Sequence, residues 1–369
     1  MGLGPRALLD LPAIQHNLQR ARASAPSSRV MAVVKADAYG HGLVRVARVL
    51  GGADALAVAR LGEALALRRA GVDRPLVVLE GGFDPEELRA ASEHRLELVI
   101  HTEEQIRLLG TQRLSRPLRC WLKVDTGMHR IGFRWERAEA AHRALGACQC
   151  VAEVAGLMTH LANADDAVDP LTEAQMTRLR DLGARVGGEL SAANSAGVLA
   201  WPATHADWVR PGVMLYGISP MIGGRAADWG LRPAMTLTSH LIAVHRCQAG
   251  DAIGYGGTWT CPEAMPVGVA AIGYGDGYPR HAPTGTPALV NGRRVALVGR
   301  VSMDMISLDL RACPDARVGD PVVLWGQGLA AEEVAERAGT IAYELLCGVT
   351  ARVEHVEAGE AAVRAEAPV

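Results

Sequence analysis

The residues with the greatest chemical potential in this chain fall at the ends of short apolar runs. Lys35 follows directly on VMAVV (30–34) and precedes Ala-Asp-Ala-Tyr39-Gly-His-Gly. A lone lysine in that position would more often snorkel to solvent. Desolvation, however, disfavours the ammonium, and a neutral amine is a nucleophile able to form a Schiff base with an aldehyde. The Gly-His-Gly that follows would let backbone approach a ligand closely. Four further runs end in polar groups: Lys123 with Asp125 and Arg130, Thr159-His160, Asn194-Ser195, and Arg210-Pro-Gly212-Val213. Arg210 beside a Pro-Gly turn suits a phosphate after a final strand. Asn194-Ser195 taken alone reads as a helix cap, and His160 taken alone as a satisfied structural histidine.

The elements that must position these groups are legible in the first 230 residues or so. Eight apolar runs recur: 30–34, 55–59, 75–80, 96–100, 118–124, 151–158, 189–193 and a short piece from Trp208 to Leu215. Each is continuous and bounded by turn signals, as expected of strands buried on both faces. Amphipathic helical stretches lie between them, the first opened by Asp10 as N-cap with Pro12 in the first turn. Eight strands alternating with helices predict a (β/α)8 barrel, with an open doubly wound sheet as the alternative. No GxGxxG follows the first strand, which weakens that alternative. In a barrel the reactive groups sit where strands end, which is where the residues above lie.

From about residue 231 to 369 the texture changes to short alternating runs such as MTLTSHLIAV, PALVNGRRVALVG and DPVVLWG, with a hairpin turn at 290–293. This predicts a second, mainly β domain, interrupted by a helix over 330–339 and a helical turn near Glu344. Residues 3–9 precede the first helix and could pair with that domain. A length of 369 residues accommodates two such units. The net charge of −2 gives no reason to expect nucleic acid or an anionic membrane. Seven scattered cysteines without a CxxC pair predict free thiols rather than a disulfide framework or a zinc site. The opening segment is too short and too polar for a signal peptide, and no stretch is long and apolar enough to span a bilayer. The expectation is therefore a cytoplasmic chain.

Taken together the motifs resemble the alanine racemase family. AVVKADAYGHG (32–42), KVDTGMHRIGF (123–133), MTHLANAD (158–165), AANSAG (192–197), VRPGVMLYG (209–217), IGYGGTWT (253–260), AAIGYGDGYPR (270–280) and LVGRVSMDM (297–305) match in order over both domains. The resemblance implies pyridoxal 5′-phosphate as cofactor, interconversion of L- and D-alanine for peptidoglycan, and a homodimer with shared sites. Lys35 would hold the cofactor as an internal aldimine. Tyr39, Ser195, Gly212, Val213 and Tyr343 would surround the phosphate. Arg210 would face the pyridine nitrogen with His160 in contact with it, and Arg130 would meet the substrate carboxylate. Tyr255, with Tyr274 and Met303 beside it, would reach into the partner subunit's site, and Lys123 could carry a carbamate.

Inverting a stereocentre requires one proton removed from one face and another returned to the opposite face. Lys35 and Tyr255 would be the two acid–base groups. A free tyrosine is a weak base at neutral pH, and a cationic network of His160 with Arg210 would favour the tyrosinate. Arg210 also argues against the rival reading of a barrel-fold decarboxylase, where a carboxylate typically faces the ring nitrogen. A non-catalytic pyridoxal-phosphate carrier would lack the β domain and its tyrosine.

Overall fold

The structure is a computed structural model that describes residues 2–358. The expectation for residues 359–369 lies outside the described residues. The chain opens with strand β1 (Arg6–Leu9) and then enters a parallel sheet of β2 (Arg29–Val33), β3 (Ala55–Val58), β4 (Leu76–Val78), β5 (Glu97–Ile100) and β6 (Leu118–Asp125). A two-residue strand, β7 (Phe133–Arg134), adds to β6; then come β8 (Val151–Met158), β9 (Glu189–Ser191) and β10 (Trp208–Val209). The order is β5-β4-β3-β2-β10-β9-β8-β6, and β5 pairs back onto β6. That last pairing closes the sheet into an eight-stranded parallel barrel and removes the open-sheet alternative. The eighth strand is shorter than the apolar run predicts. Pro211-Gly212 ends it, and Val213–Tyr216 turn into a 3-10 helix.

The starts and the ends of the barrel strands carry different chemistry. At the starts, Arg119 of β6 reaches three carboxylates, Glu97 at 2.7 Å, Glu153 at 3.0 Å and Glu189 at 2.9 Å. The indoles of Trp121 and Trp208 donate to Glu97 and Glu189. This network ties five strands together at the face of the barrel that serves stability. The strand ends open on the cavity described below.

The remaining strands are β11 (Met235–Cys247), β12 (Ala252–Ile253), β13 (Trp259–Thr260), β14 (Met265–Ala270), β15 (Pro287–Val290), β16 (Arg293–Val298), β17 (Ile306–Asp309), β18 (Pro321–Trp325) and β19 (Glu354–Glu357). The long β11 shifts register between Leu241 and Ala243, which lets it pair with β18 along its first part and β14 along its second. β14, β17, β16, β15, β18 and β11 thereby close an antiparallel sheet. β1 lies between β11 and β19, so the first strand of the chain is built into the sheet of the second domain. The helices predicted in this half are observed over Ala331–Ala338 and Ala342–Gly348. Among the described residues, no helix is long and apolar enough to cross a membrane.

The barrel wall leaves no room for side chains at one pairing. Gly156 on β8 lies against Glu189 on β9, where a Cβ would stand 1.8 Å from the Glu189 carbonyl oxygen. Gly156→Ala is expected to lower stability by about 1–3 kcal/mol through overpacking. Urea unfolding checks this; an unchanged midpoint would mean that the two strands can part without cost.

Candidate active site

Lys35 leaves the end of β2 and enters a turn of unusual hand. Ala36, Asp37, Ala38 and Tyr39 all have φ between 52° and 54° with ψ between 43° and 53°, a full left-handed helical turn without a glycine in it. Each such residue costs roughly 1–2 kcal/mol, so neighbours must hold the turn in place. The Glu63 carboxylate accepts the Ala36 N–H at 2.7 Å and also the amides of Ala59 and Arg60. The Asp37 carboxylate accepts the Leu43 N–H at 2.7 Å. His41 Nδ1 lies 2.9 Å from the Tyr39 carbonyl, and burial lowers this imidazole to about 4, so it is neutral. The glycines after the turn do a different job from the ligand approach expected of them. A Cβ on Gly40, whose φ is +77°, would stand 2.3 Å from the Leu346 carbonyl. Gly40 is therefore the contact by which the turn abuts the helix Ala342–Gly348.

The strand ends enclose a cavity of about 730 Å³. Its walls bring together ten of the residues picked out from sequence: Lys35, Tyr39, Lys123, Arg130, His160, Ser195, Arg210, Gly212, Val213 and Tyr343. Tyr255, Tyr274 and Met303 are not among its lining. They stand on the β domain, 68%, 40% and 52% exposed. Several wall residues escaped the sequence reading. Cys347 is one helical turn after Tyr343, so the placement of one implied the other. Glu80, Phe83 and His101 come from the ends of β4 and β5, where no motif marked them. Glu63, which holds the turn from outside the cavity lining, follows Arg60 rather than a Ser or Thr by three residues, so no capping-box signal marked it.

At one end of the cavity, Tyr39 stacks on Tyr216 with ring centroids 4.7 Å apart, and Tyr343 lies 6.2 Å from it. Burial raises both site phenols, Tyr343 to about 12, so both remain hydroxyl donors. Ser195 Oγ accepts from the Gly212 and Met214 amides at 2.9 and 3.3 Å. A Cβ on Gly212 would stand 2.6 Å from Tyr39 Oη, so the cradle between these groups exists only because this residue is glycine. Three hydroxyls and a bare backbone turn form a donor set suited to a phosphate.

Across the cavity Arg210 is buried and donates to Ser191 Oγ at 2.5 Å, Thr159 O at 2.5 Å and Ala192 O at 3.1 Å. Desolvation lowers it to about 10, so it stays charged. Its Nε has no acceptor among the described residues. The Asp125 carboxylate accepts from the Gly127 and His129 amides and pairs with His129 Nδ1, which shapes the loop leading to the exposed Arg130. No acceptor lies within hydrogen-bond distance of the Arg130 guanidinium among the described residues.

The charges act on the amines. Burial, and then the charge of Arg130, lowers Lys35 below its ordinary value, with Glu80 and Glu63 pulling the other way. Burial, followed by Arg210, Arg130 and Lys35, holds Lys123 well below its ordinary value. His160 is held well below as well, first by burial and then by Lys123, Arg210, Arg130 and Lys35. This corrects the sequence expectation. His160 is neutral beside these cations, so the permanent charge of the site is carried by Arg210 and Arg130, and no hydrogen bond joins His160 to Arg210 among the described residues.

A cavity built this way at the rim of a barrel that is followed by a β domain finds its match in known proteins. The family model for the N-terminal domain of alanine racemase matches residues 9–220, and that for its C-terminal domain matches residues 234–357. The chain belongs to the alanine racemase family. An alanine racemase of Nitrosococcus oceani is 58% identical over 349 residues, covering 95% of this chain and 98% of the relative. That of Halorhodospira halophila is 52% identical over 354 residues, covering 96% and 97%. The solved structure of the biosynthetic alanine racemase from Pseudomonas aeruginosa superposes with a TM-score of 0.94 at 46% identity, covering 96% of this chain and 99% of that one.

The electrostatics of the amine are testable. Arg130 lowers the Lys35 pKa, so Arg130→Met is expected to raise it. The pH profile for trapping Lys35 with an aldehyde and borohydride should move to higher pH. A profile that stays put or moves down would show that burial alone sets the amine.

Proposed function

We propose that this chain interconverts L- and D-alanine with pyridoxal 5′-phosphate held on Lys35, at sites shared between two copies. One observation carries this reading. The barrel cavity of one chain is complete on the lysine side, whereas the candidate second acid–base group, Tyr255, stands exposed on the β domain of the same chain. The resident cofactor fits the residues present: an amine at the strand end, hydroxyl donors around the Gly212 cradle and a buried cation opposite. When bound, pyridoxal phosphate supplies an electron sink for the α-carbon of an amino acid. The protein's own groups do the rest. Tyr39, Tyr343, Ser195 and the backbone at Gly212–Val213 hold a phosphate. Arg210 keeps its proton, so a ring nitrogen facing its free Nε would stay unprotonated, which disfavours transamination and decarboxylation. Arg130 offers its unpaired guanidinium to a substrate carboxylate.

The Lys35 amine moves a proton at one face of the α-carbon, helped by a pKa brought closer to neutrality. Tyr255 of the partner subunit is the group that would act at the other face, with its Tyr274 and Met303 beside it. In this arrangement residues 1–230 form the cofactor domain and residues 231–369 serve the other subunit's cavity. The seven cysteines are free, which fits a reducing cytoplasm and supply of D-alanine to peptidoglycan.

Lys123 has a separate part. Its charged neighbours are cations, and the neutral amine they favour can attack carbon dioxide at carbon, forming an N–C bond with release of the amine's proton. The resulting carbamate would hold Arg130 by a charge-assisted bond.

Three experiments decide these points. Lys35→Ala should abolish the visible absorbance of the loaded protein and slow alanine racemisation by at least about a hundredfold. Full activity in that variant sinks the reading. Tyr255→Phe should slow α-proton exchange from one enantiomer far more than from the other, and equal losses would argue against two bases. For Lys123, bicarbonate should raise activity in the native protein and leave Lys123→Ala unchanged. Indifference of the native protein to carbon dioxide depletion would remove the carbamate.

A further inference from the structure

Tyr274 and Met303 project from two different loops, the turn Tyr274–Asp276 and the segment 302–305. Backbone bonds bring these loops side by side: the Tyr274 N–H donates to Ser302 O at 3.0 Å, and the Gly275 N–H donates to Met303 O at 2.9 Å. Side chains then fix them to a third segment. The Asp276 carboxylate is buried, and its Oδ2 accepts the Gly273 N–H at 2.9 Å. Its Oδ1 lies 3.2 Å from Arg352 Nε. The same guanidinium donates through Nη2 to Asp304 Oδ1 at 2.6 Å. One arginine therefore spans a carboxylate on each of the two loops. Thr350 supports it from behind, donating from Oγ1 to Gly275 O at 3.0 Å and from its amide to Asp276 O at 3.1 Å.

Stability accounts for the half of this arrangement that pairs the buried Asp276, but not for the other half. Arg352 and Asp304 are each about half exposed, and exposed ion pairs contribute on the order of 0–1 kcal/mol. Geometry does account for it. A planar fork can engage two carboxylates at fixed angles, whereas a lysine offers a single mobile charge.

We infer that Arg352 is a positioning residue that locks Tyr274 and Met303 into one rigid platform presented to the partner subunit's cavity. The inference rests on the shared-site reading above. Arg352 touches no reacting atom; it acts through Asp276 and Asp304.

The test uses the loaded dimer. Arg352→Met homodimers should keep the visible absorbance of bound cofactor, which is held by the barrel of each chain. Their KM for alanine should rise about three- to tenfold with kcat within about twofold, the scale of a lost charge pair with one buried partner. Mixed dimers, co-expressed with two affinity tags, pair an Arg352→Met protomer with a Lys35→Ala protomer. In such a dimer the only working lysine belongs to the Arg352→Met chain and faces an intact platform from the other. These mixed dimers should recover the native KM. A KM that stays raised would mean that Arg352 acts within its own chain, and a native KM in the Arg352→Met homodimer would mean that it positions nothing; either result overturns the inference. If Arg352→Met does not fold, Asp304→Asn breaks the exposed half of the bridge and is read in the same way. A mixed dimer of Lys35→Ala with Tyr255→Phe, measured first, should retain one intact site and racemise alanine; its inactivity would overturn the shared-site reading itself and is thereby told apart.

Discussion

A closed parallel barrel delivers the carboxyl end of every strand to one rim, and in this chain that rim concentrates positive charge around one cavity. Lys35, Lys123, Arg130 and Arg210 come from three strand ends and act on one another across a single cavity. The arginines keep their protons, so the cost of crowding falls on the lysines and on His160, which are pushed toward their neutral forms. An amine whose neutral form is made more accessible in this way can bond an aldehyde and carry a proton. The chemistry of the site follows from forcing these four groups together, and each remaining feature either holds them there or brings something to them.

The left-handed turn after Lys35 is one such holding feature. Four non-glycine residues in an unfavourable backbone region persist only because their surroundings over-determine them. Glu63, Asp37 and His41 satisfy the turn from the barrel side, and the tight contact of Gly40 with Leu346 fastens it to the helix that carries Tyr343 and Cys347. The turn thus fixes Lys35 and Tyr39 relative to each other and ties both to the helix Ala342–Gly348, so that the amine and the two phenols form one rigid group.

The β domain has a complementary logic. Its first strand partner is the beginning of the chain, with β1 held between β11 and β19, so neither half can separate without breaking sheet hydrogen bonds. Yet the groups this domain would contribute to catalysis do not line the cavity of their own chain. Exposed Tyr255, Tyr274, Met303 and Met305 make a surface that a monomer has little reason to display. In the proposed shared site, this is the surface that would meet the cavity of a second copy.

Much of this was legible in the residues. The eight buried strands announce themselves as continuous apolar runs because both faces of a parallel sheet are covered, and polar groups at their ends mark the rim because nothing else tolerates them there. Sequence therefore determined the barrel, the lysine, the arginines and the family. It could not determine protonation. His160 looked like part of a cationic network, and only its burial, together with the packing of Lys123, Arg210, Arg130 and Lys35 around it, holds it toward the neutral form. Nor could it reveal why Gly40 is glycine, since the Leu346 carbonyl that requires it lies some three hundred residues away in sequence. The same holds for Arg352, which reads as an unremarkable tail arginine until the fold places Asp276 and Asp304 on either side of it. Local pattern determines which groups reach the rim; which charges those groups carry depends on neighbours that only the closed fold assembles.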